Sequence, residues 1–244
     1  MVEIQNYLTI YLAAVGGGGA GLTFDEDTFE TKAGELRITF LGHGTLMLTL
    51  GDKVIHVDPW NQVADYSTLP KADIVLITHE HHDHLDPQAV ETIRKEATDV
   101  ILTEKCAGRV PNGTVMRNGD VRSVKGLQIE AVPAYNIVHL RDEGNPFHPK
   151  GEGSGYVISF GDKRIYVAGD TENIPEMKAL KGIDIAFLPA NLPYTMSPEM
   201  VADAARALRP KVLYPYHFGA TDTARIVDLL RDTKDIEVRI RKLS

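Results

Sequence analysis

Short apolar runs punctuated by Gly-Asp, proline and charged turns dominate this chain, and most of them are too brief to be helices. Leu36-Arg37-Ile38-Thr39-Phe40 alternates with a period of two, which predicts a strand. Gly42-His43-Gly44 turns it into the apolar stretch 45–50, and Gly51-Asp52 predicts a hairpin into Val54-Ile55-His56-Val57. Ile74-Val75-Leu76-Ile77 and Val212-Leu213-Tyr214-Pro215-Tyr216 read as buried strands. Helical spacing occurs in three places. Asp86-Pro87 starts a helix to about Glu96, with Val90 and Ile93 on one face, and Ser197-Pro198 starts another carrying Val201, Ala205 and Leu208. A third runs from about Asp222 to Asp232, with Ile226, Leu229 and Leu230 inward.

The pattern recurs. The run 51–57, Gly-Asp-Lys-Val-Ile-His-Val, is echoed by the run 161–167, Gly-Asp-Lys-Arg-Ile-Tyr-Val, and the apolar run 72–77 by 183–188. Each half offers a hairpin, a connection and a buried strand in the same order. Two β-rich halves covered by helices predict an α/β fold, a four-layer αββα sandwich. The boundaries expected are an N-terminal arm over 1–35 and one domain over 36–244.

Composition narrows the class. A chain of 244 residues with 43% hydrophobic and 25% charged positions is that of an ordinary globular domain. The net charge of −8, without a basic run, gives no strong nucleic-acid signal. Cys106 is the one cysteine, which excludes an internal disulfide and reads as a packed thiol. The apolar run 7–15 lacks the basic flank of a secretory leader and is too short to span a bilayer. A cytoplasmic address is expected, with export through a degenerate leader as the alternative. The partner expected is a small-molecule substrate, and oligomeric state is left open.

One stretch resists explanation by packing. Thr78-His79-Glu80-His81-His82-Asp83-His84 sets four of the nine histidines within six residues, at the end of a buried strand. Crowded imidazoles repel when protonated and need partners when buried. A divalent cation satisfies both demands. His79 and His81, two apart, face one ion, and Asp83 and His84 face a second position.

His-x-His-x-Asp-His after a buried strand resembles the signature of the metallo-β-lactamase fold superfamily. The segments Gly42-His43-Gly44, Phe147-His148-Pro149-Lys150-Gly151 and Gly169-Asp170-Thr171 are similar to those of metal-dependent hydrolases in its L-ascorbate-6-phosphate lactonase-like branch. The resemblance implies a hydrolase with a hydroxide held between two divalent ions, zinc first, with manganese or iron as alternatives. It implies cleavage of a phosphodiester, lactone or ester, β-lactamase activity being disfavoured. It also implies Asp170 as the bridging carboxylate, His217 as a ligand beside Asp83 and His84, and Asp58 as the carboxylate that orients a ligating imidazole. His43 and Asp83 are expected in catalysis, and Trp60, Asn191 and Tyr194 along the substrate, with His82 at the mouth. His56 is expected to be structural.

Tyr135 and Asn136 stand where related members carry a further histidine, so the third ligand of the first ion lies between His148 and His139. The prolines bracketing His148 restrict its backbone, whereas His139 sits beside Arg141, so His148 is expected. Two other readings compete: a non-catalytic metal-binding or sensor domain, and a di-iron oxidoreductase, the latter weakened by the lack of a flavodoxin-like domain.

Overall fold

The computed structural model describes residues 23–141 and 144–244. The possible leader over residues 1–21, the first part of the arm expected over 1–35, lies outside the described residues. Among them, strands form two seven-stranded sheets. The first contains β1 (Asp25–Thr31), β2 (Gly34–Gly42), β3 (Thr45–Leu50), β4 (Lys53–Val57), β5 (Ile74–Leu76), β6 (Asp99–Leu102) and β7 (Thr114–Val115), in that order. It is antiparallel from β1 to β4 and parallel from β4 to β7. The second contains β8 (Val121–Val124), β9 (Leu127–Ala134), β10 (Gly153–Phe160), β11 (Lys163–Val167), β12 (Ile185–Pro189), β13 (Val212–Tyr216) and β14 (Glu237–Val238), also in sequential order. The switch from antiparallel to parallel falls at the equivalent strand, β11.

Burial on both faces explains the continuous apolar runs. Along β5, Ile74 and Leu76 enter the core between the sheets, while Val75 and Ile77 enter a second core shared with Ala89, Val90 and Ile93 of α1 (Pro87–Ile93). Along β12, Ile185 and Phe187 face the central core. Ala186 and Leu188 pack with residues of α2 (Pro175–Ala179), α3 (Pro198–Leu208) and α4 (Ala224–Leu230). The layers are therefore helix, sheet, sheet, helix. The Asp86 carboxylate caps α1 by accepting from Gln88 N at 3.0 Å and Ala89 N at 3.2 Å, and Ser197 Oγ caps α3 through Met200 N at 3.2 Å. Helix α1 ends at Ile93, short of the expected Glu96.

The domain begins before Leu36, which corrects the arm expected over 1–35. β1 pairs with β2 from Asp25↔Phe40 to Thr31↔Gly34. Its polar sequence hides it because it is an edge strand whose side chains are only half-buried or exposed. Asp27 on β1 binds Arg241 Nη2 at 2.7 and 2.8 Å and Arg239 Nη1 at 3.2 Å, and it accepts from the Tyr214 hydroxyl, so this edge is fastened to the C-terminal segment.

The two sheets are also clipped together at the rim where the parallel strands end. Ser154 N donates to Thr78 O at 2.9 Å, His217 N to His43 O at 3.1 Å, and Tyr156 OH to Ile77 O at 2.8 Å. These bonds bring the loops that follow β2, β5 and β13 together with β10 and, through the Tyr156↔Val167 pair, with the end of β11.

Candidate metal centre

The loop after β5 is a tight turn: His84 N and Leu85 N both donate to His81 O, at 3.1 and 2.8 Å. Arg109 braces it from behind, its guanidinium donating to Leu85 O at 3.2 Å and also to Glu80 O. The turn sends His79 and His81 one way and Asp83 and His84 another.

Two sets of donor atoms result, His79, His81 and His148 in one and Asp83, His84, His217 and His43 in the other, and a third group of His79, His84 and Asp170 links them. In the first, His81 Nδ1 lies 3.1 Å from His79 Nε2 and 3.2 Å from His148 Nε2. Asp170 Oδ2 stands 3.3 Å from His148 Nε2 and 3.9 Å from His79 Nε2. In the second, Asp83 Oδ2 is 3.5 Å from His217 Nε2 and 3.8 Å from His84 Nε2. Asp170 reaches this set too, Oδ1 lying 3.5 Å from His84 Nε2 and Oδ2 3.6 Å from His217 Nε2. Asp170 is the carboxylate between them. Of the two alternatives after β9, His148 joins the cluster, whereas His139 Nδ1 lies 2.7 Å from Glu172 Oε1.

Three of the imidazoles, His79, His84 and His148, are oriented from the far side. Buried Asp58 accepts from Thr78 N at 2.7 Å and Thr78 Oγ1 at 2.6 Å, and from His84 Nδ1 at 2.8 Å. Thr78 Oγ1, its proton given to Asp58, accepts from His79 Nδ1 at 3.0 Å. These contacts place the protons of His79 and His84 on Nδ1 and turn both Nε2 lone pairs into the cluster. Asn136 Oδ1 does the same for His148, accepting from its backbone N and from Nδ1, both at 2.8 Å.

Sequence reasoning missed this second support and what stands behind it. Glu172 is fully buried and accepts from the backbone N of Ile137, Val138 and His139, each at 2.7 Å, and from Asn136 Nδ2 at 3.2 Å. Burial pushes its carboxyl pKa up, but these bonds outweigh it and hold the group below the usual range. The one available signal was its place two residues after Asp170, which singles out nothing.

The electrostatics call for cations. Burial opposes charge on His84, yet Asp170 first, then Asp58 and Asp83, push it up to about 9. Burial and neighbouring imidazoles hold His79 well below its ordinary value. Burial also acts against ionised Asp170, but His217, His84 and the hydrogen bond from His148 keep it ionised well below the usual carboxylate range. His84 Nε2, His217 Nε2 and Asp170 Oδ1 are buried without a hydrogen-bond partner. Imidazole nitrogens and carboxylate oxygens left in this state fit a divalent ion.

The backbone is shaped around these atoms. Three of the six non-glycine residues with positive φ among the described residues are His43, Asp58 and His217, at 53°, 46° and 46°. A Cβ at Gly44 would stand 2.8 Å from His84 Cε1 and 3.4 Å from His217 Cδ2, so only glycine fits beneath those rings.

A cleft of about 370 Å³ opens on the cluster, lined by His43, His82, Asn191 and Tyr194 together with Arg141 and Phe147. His43 Nε2 is 3.0 Å from Asp83 Oδ2. Trp60, expected along the substrate, is not among the lining residues; it packs on His43, ring centroids 5.2 Å apart, and edge-on to His82 at 6.1 Å. His56 is structural, buried with Nε2 3.0 Å from Pro70 O. Cys106 is buried in the core beneath α1. No helix among the described residues is long and apolar enough to cross a membrane.

A model of the beta-lactamase superfamily domain matches residues 37–217. A UPF0173 metal-dependent hydrolase of Koribacter versatilis is 34% identical over 199 residues, 75% of this chain and 84% of its own. Another, from Methanopyrus kandleri, is 31% identical over 201 residues, again 75% of this chain and 84% of its own. Among solved structures, a Parabacteroides distasonis protein described as a metal-dependent hydrolase is 51% identical with a TM-score of 0.87, over 91% of this chain and all of its own (100%). A metallo hydrolase from Ignicoccus hospitalis gives a TM-score of 0.70 at 25% identity, over 86% of this chain and 96% of its own. The chain belongs to the beta-lactamase superfamily, among its UPF0173 metal-dependent hydrolases.

Proposed function

We propose that this hydrolase works with two divalent cations, one held by His79, His81, His148 and Asp170, the other by Asp83, His84, His217 and Asp170. The observation that carries the reading is the trio of buried, unpartnered atoms, His84 Nε2, His217 Nε2 and Asp170 Oδ1, set around one shared carboxylate. Imidazole and carboxylate donors favour zinc, with manganese or iron next. When bound, such ions lower the pKa of a water to near 7 and polarise a carbonyl or phosphoryl oxygen.

The chain's own residues do the rest. Asp83 accepts from His43 across 3.0 Å, which holds a proton at the cleft wall where a leaving group departs. Asn191 and Tyr194, which also line the cleft, orient the substrate. Arg141, with its fixed charge, supports a phosphodiester or phosphorylated lactone as first choice and a carboxylic ester or lactone as second.

The test combines metal analysis of protein purified without chelator with a panel of bis-p-nitrophenyl phosphate, lactones and nitrocefin, run with zinc and with manganese. Phosphodiesterase or lactonase turnover by metal-loaded protein is expected. Nitrocefin turnover alone would overturn the substrate ranking, and bound metal without any turnover would leave a sensor domain in its place.

A further inference from the structure

The surface around the cleft is apolar in a way the hydrolytic centre does not explain. Eight large hydrophobic side chains are exposed among the described residues, and five of them, Ile137, Val138, Leu140, Leu192 and Tyr194, come from two short segments that adjoin the cleft residues Arg141 and Asn191. Each is between 44% and 62% exposed. Asn136, which precedes the first segment, ties it to the second by donating from Nδ2 to Tyr194 O at 2.9 Å, and Phe147 meets Tyr194 edge-on at 5.1 Å. Single exposed apolar residues need no explanation, but five on two hydrogen-bonded segments beside a cleft mark a surface that is covered in use.

Glu172 holds this rim in place. Its carboxylate takes the backbone N–H groups of Ile137, Val138 and His139, so the chain is fixed at the positions where Ile137 and Val138 project outward. A rim anchored to a buried anion is preformed, which lowers the ordering cost of binding to it.

Charge selects the occupant. Arg141 lies over the Phe147 ring, 4.9 Å from its centroid, and is the one fixed cation among the described residues lining the cleft. The cleft volume of about 370 Å³ is near the lower end for ligand sites, so it encloses a head group and leaves the remainder to the rim. A bilayer surface is less well matched, because anionic membranes are held by several basic residues and the chain carries a net charge of −8.

We propose that the substrate is an anionic amphiphile, a phosphate ester whose charged part sits between Arg141 and the His/Asp cluster and whose apolar chain lies on the rim of Ile137, Val138, Leu140, Leu192 and Tyr194. The proposal rests on the reading that hydrolysis takes place at that cluster, but its test does not require turnover. Methyl-, butyl- and octylphosphonate, which carry no hydrolysable ester, are titrated calorimetrically into metal-loaded protein below their micellar concentrations.

A fully buried methylene contributes about a fourfold gain in affinity, so a partly covering rim gives at least a roughly tenfold gain from methyl to octyl. Val138→Ser with Leu140→Ser reduces that gain to less than about threefold at unchanged metal content and melting temperature, and Arg141→Gln weakens all three ligands by a similar factor. Affinity independent of chain length, with hydrolysis intact, overturns this inference alone. Absent hydrolysis with the chain-length gradient retained overturns only the hydrolytic reading. Sedimentation with phosphatidylglycerol vesicles that the double variant abolishes, without a phosphonate gradient, assigns the rim to a membrane. A dimer that the double variant dissociates, again without the gradient, assigns it to a second copy of this chain. Either result overturns the amphiphile.

Discussion

The two halves of the molecule repeat one another down to single hydrogen bonds, yet they build the site in opposite ways. In the first half, Asp73 Oδ2 accepts from Val54 N at 2.9 Å and Asp73 Oδ1 pairs with Lys95 at 2.6 Å; in the second, Asp184 accepts from Arg164 N at 3.0 Å and pairs with Lys211 at 2.8 Å. The first half then places His79, His81, Asp83 and His84 on one turn, whereas the second has Ala190 after the equivalent strand. It contributes His148, Asp170 and His217 from three separate connections. The supports differ as well. Carboxylate Asp58 serves the first half, and amide Asn136, backed by Glu172, serves the second. A duplicated scaffold thus fixes where strand ends meet and leaves the chemistry to the loops.

The largest effect is expected from removing Asp170, the group proposed to serve both donor sets. Asp170→Ala is expected to lower kcat/KM by about a thousandfold or more, beyond the 10–100-fold typical of a group behind the ligands. A loss within that lesser range, measured on the best substrate of the panel, would mean that the two sets do not share it.

Next come the supports. Asp58→Asn should weaken zinc at both sets about 10–100-fold, since Asp58 orients His84 directly and His79 through Thr78. Asn136→Ala should weaken only the set containing His148, by a similar factor. Competition with a calibrated chelator separates the two outcomes, and an equal loss at both sets in Asn136→Ala would refute the division.

Legibility in the sequence follows the same divide. The turn from His79 to His84 was legible because its donors are contiguous and too dense for packing. Asp170 and His217 are single residues at strand ends, and only the resemblance distinguished them. His148 emerged from backbone restriction by its flanking prolines, but Asn136 and Glu172 did not, because their roles arise between segments 36 residues apart in sequence. The parallel and hairpin strands were readable from burial and period. Edge strand β1, with exposed polar side chains, and α2, a single turn of five residues, leave too little pattern to read.

Equivalent buried positions in the two hairpins differ in a smaller effect. His56 and Tyr166 both point out of the central core, but burial pushes the His56 pKa down to about 4. Its folded value lies below its unfolded value of 6.5, so the stability from the neutral ring is complete above pH 6.5 and is lost as pH falls towards about 4. The loss across that window is about 3 kcal/mol. Urea unfolding at pH 7 and pH 4.5 should show His56→Leu flattening this acid limb and Tyr166→Phe leaving it unchanged. An unaltered limb in His56→Leu would remove His56 from the explanation.

The smallest effects belong to the hairpin turns. Gly51 and Gly161 have φ of 58° and 61°, so alanine costs about 1–2 kcal/mol at either. A Cβ at Gly51 meets nothing within 4 Å, while one at Gly161 would stand 2.7 Å from Ala33 N. Thermal unfolding should therefore show a larger loss for Gly161→Ala than for Gly51→Ala. The reverse order would contradict the contact between the second hairpin and the turn after β1.

If Asp170 joins two donor sets that each hold one ion, metal stoichiometry reports it directly. Chelator-stripped protein is titrated with zinc and weighed by native mass spectrometry, alongside His148→Ala and His217→Ala. Two equivalents are expected in the wild type and one tightly bound equivalent in each variant, with circular dichroism unchanged. A single equivalent in the wild type, or two in His148→Ala bound as tightly as in the wild type, would contradict it.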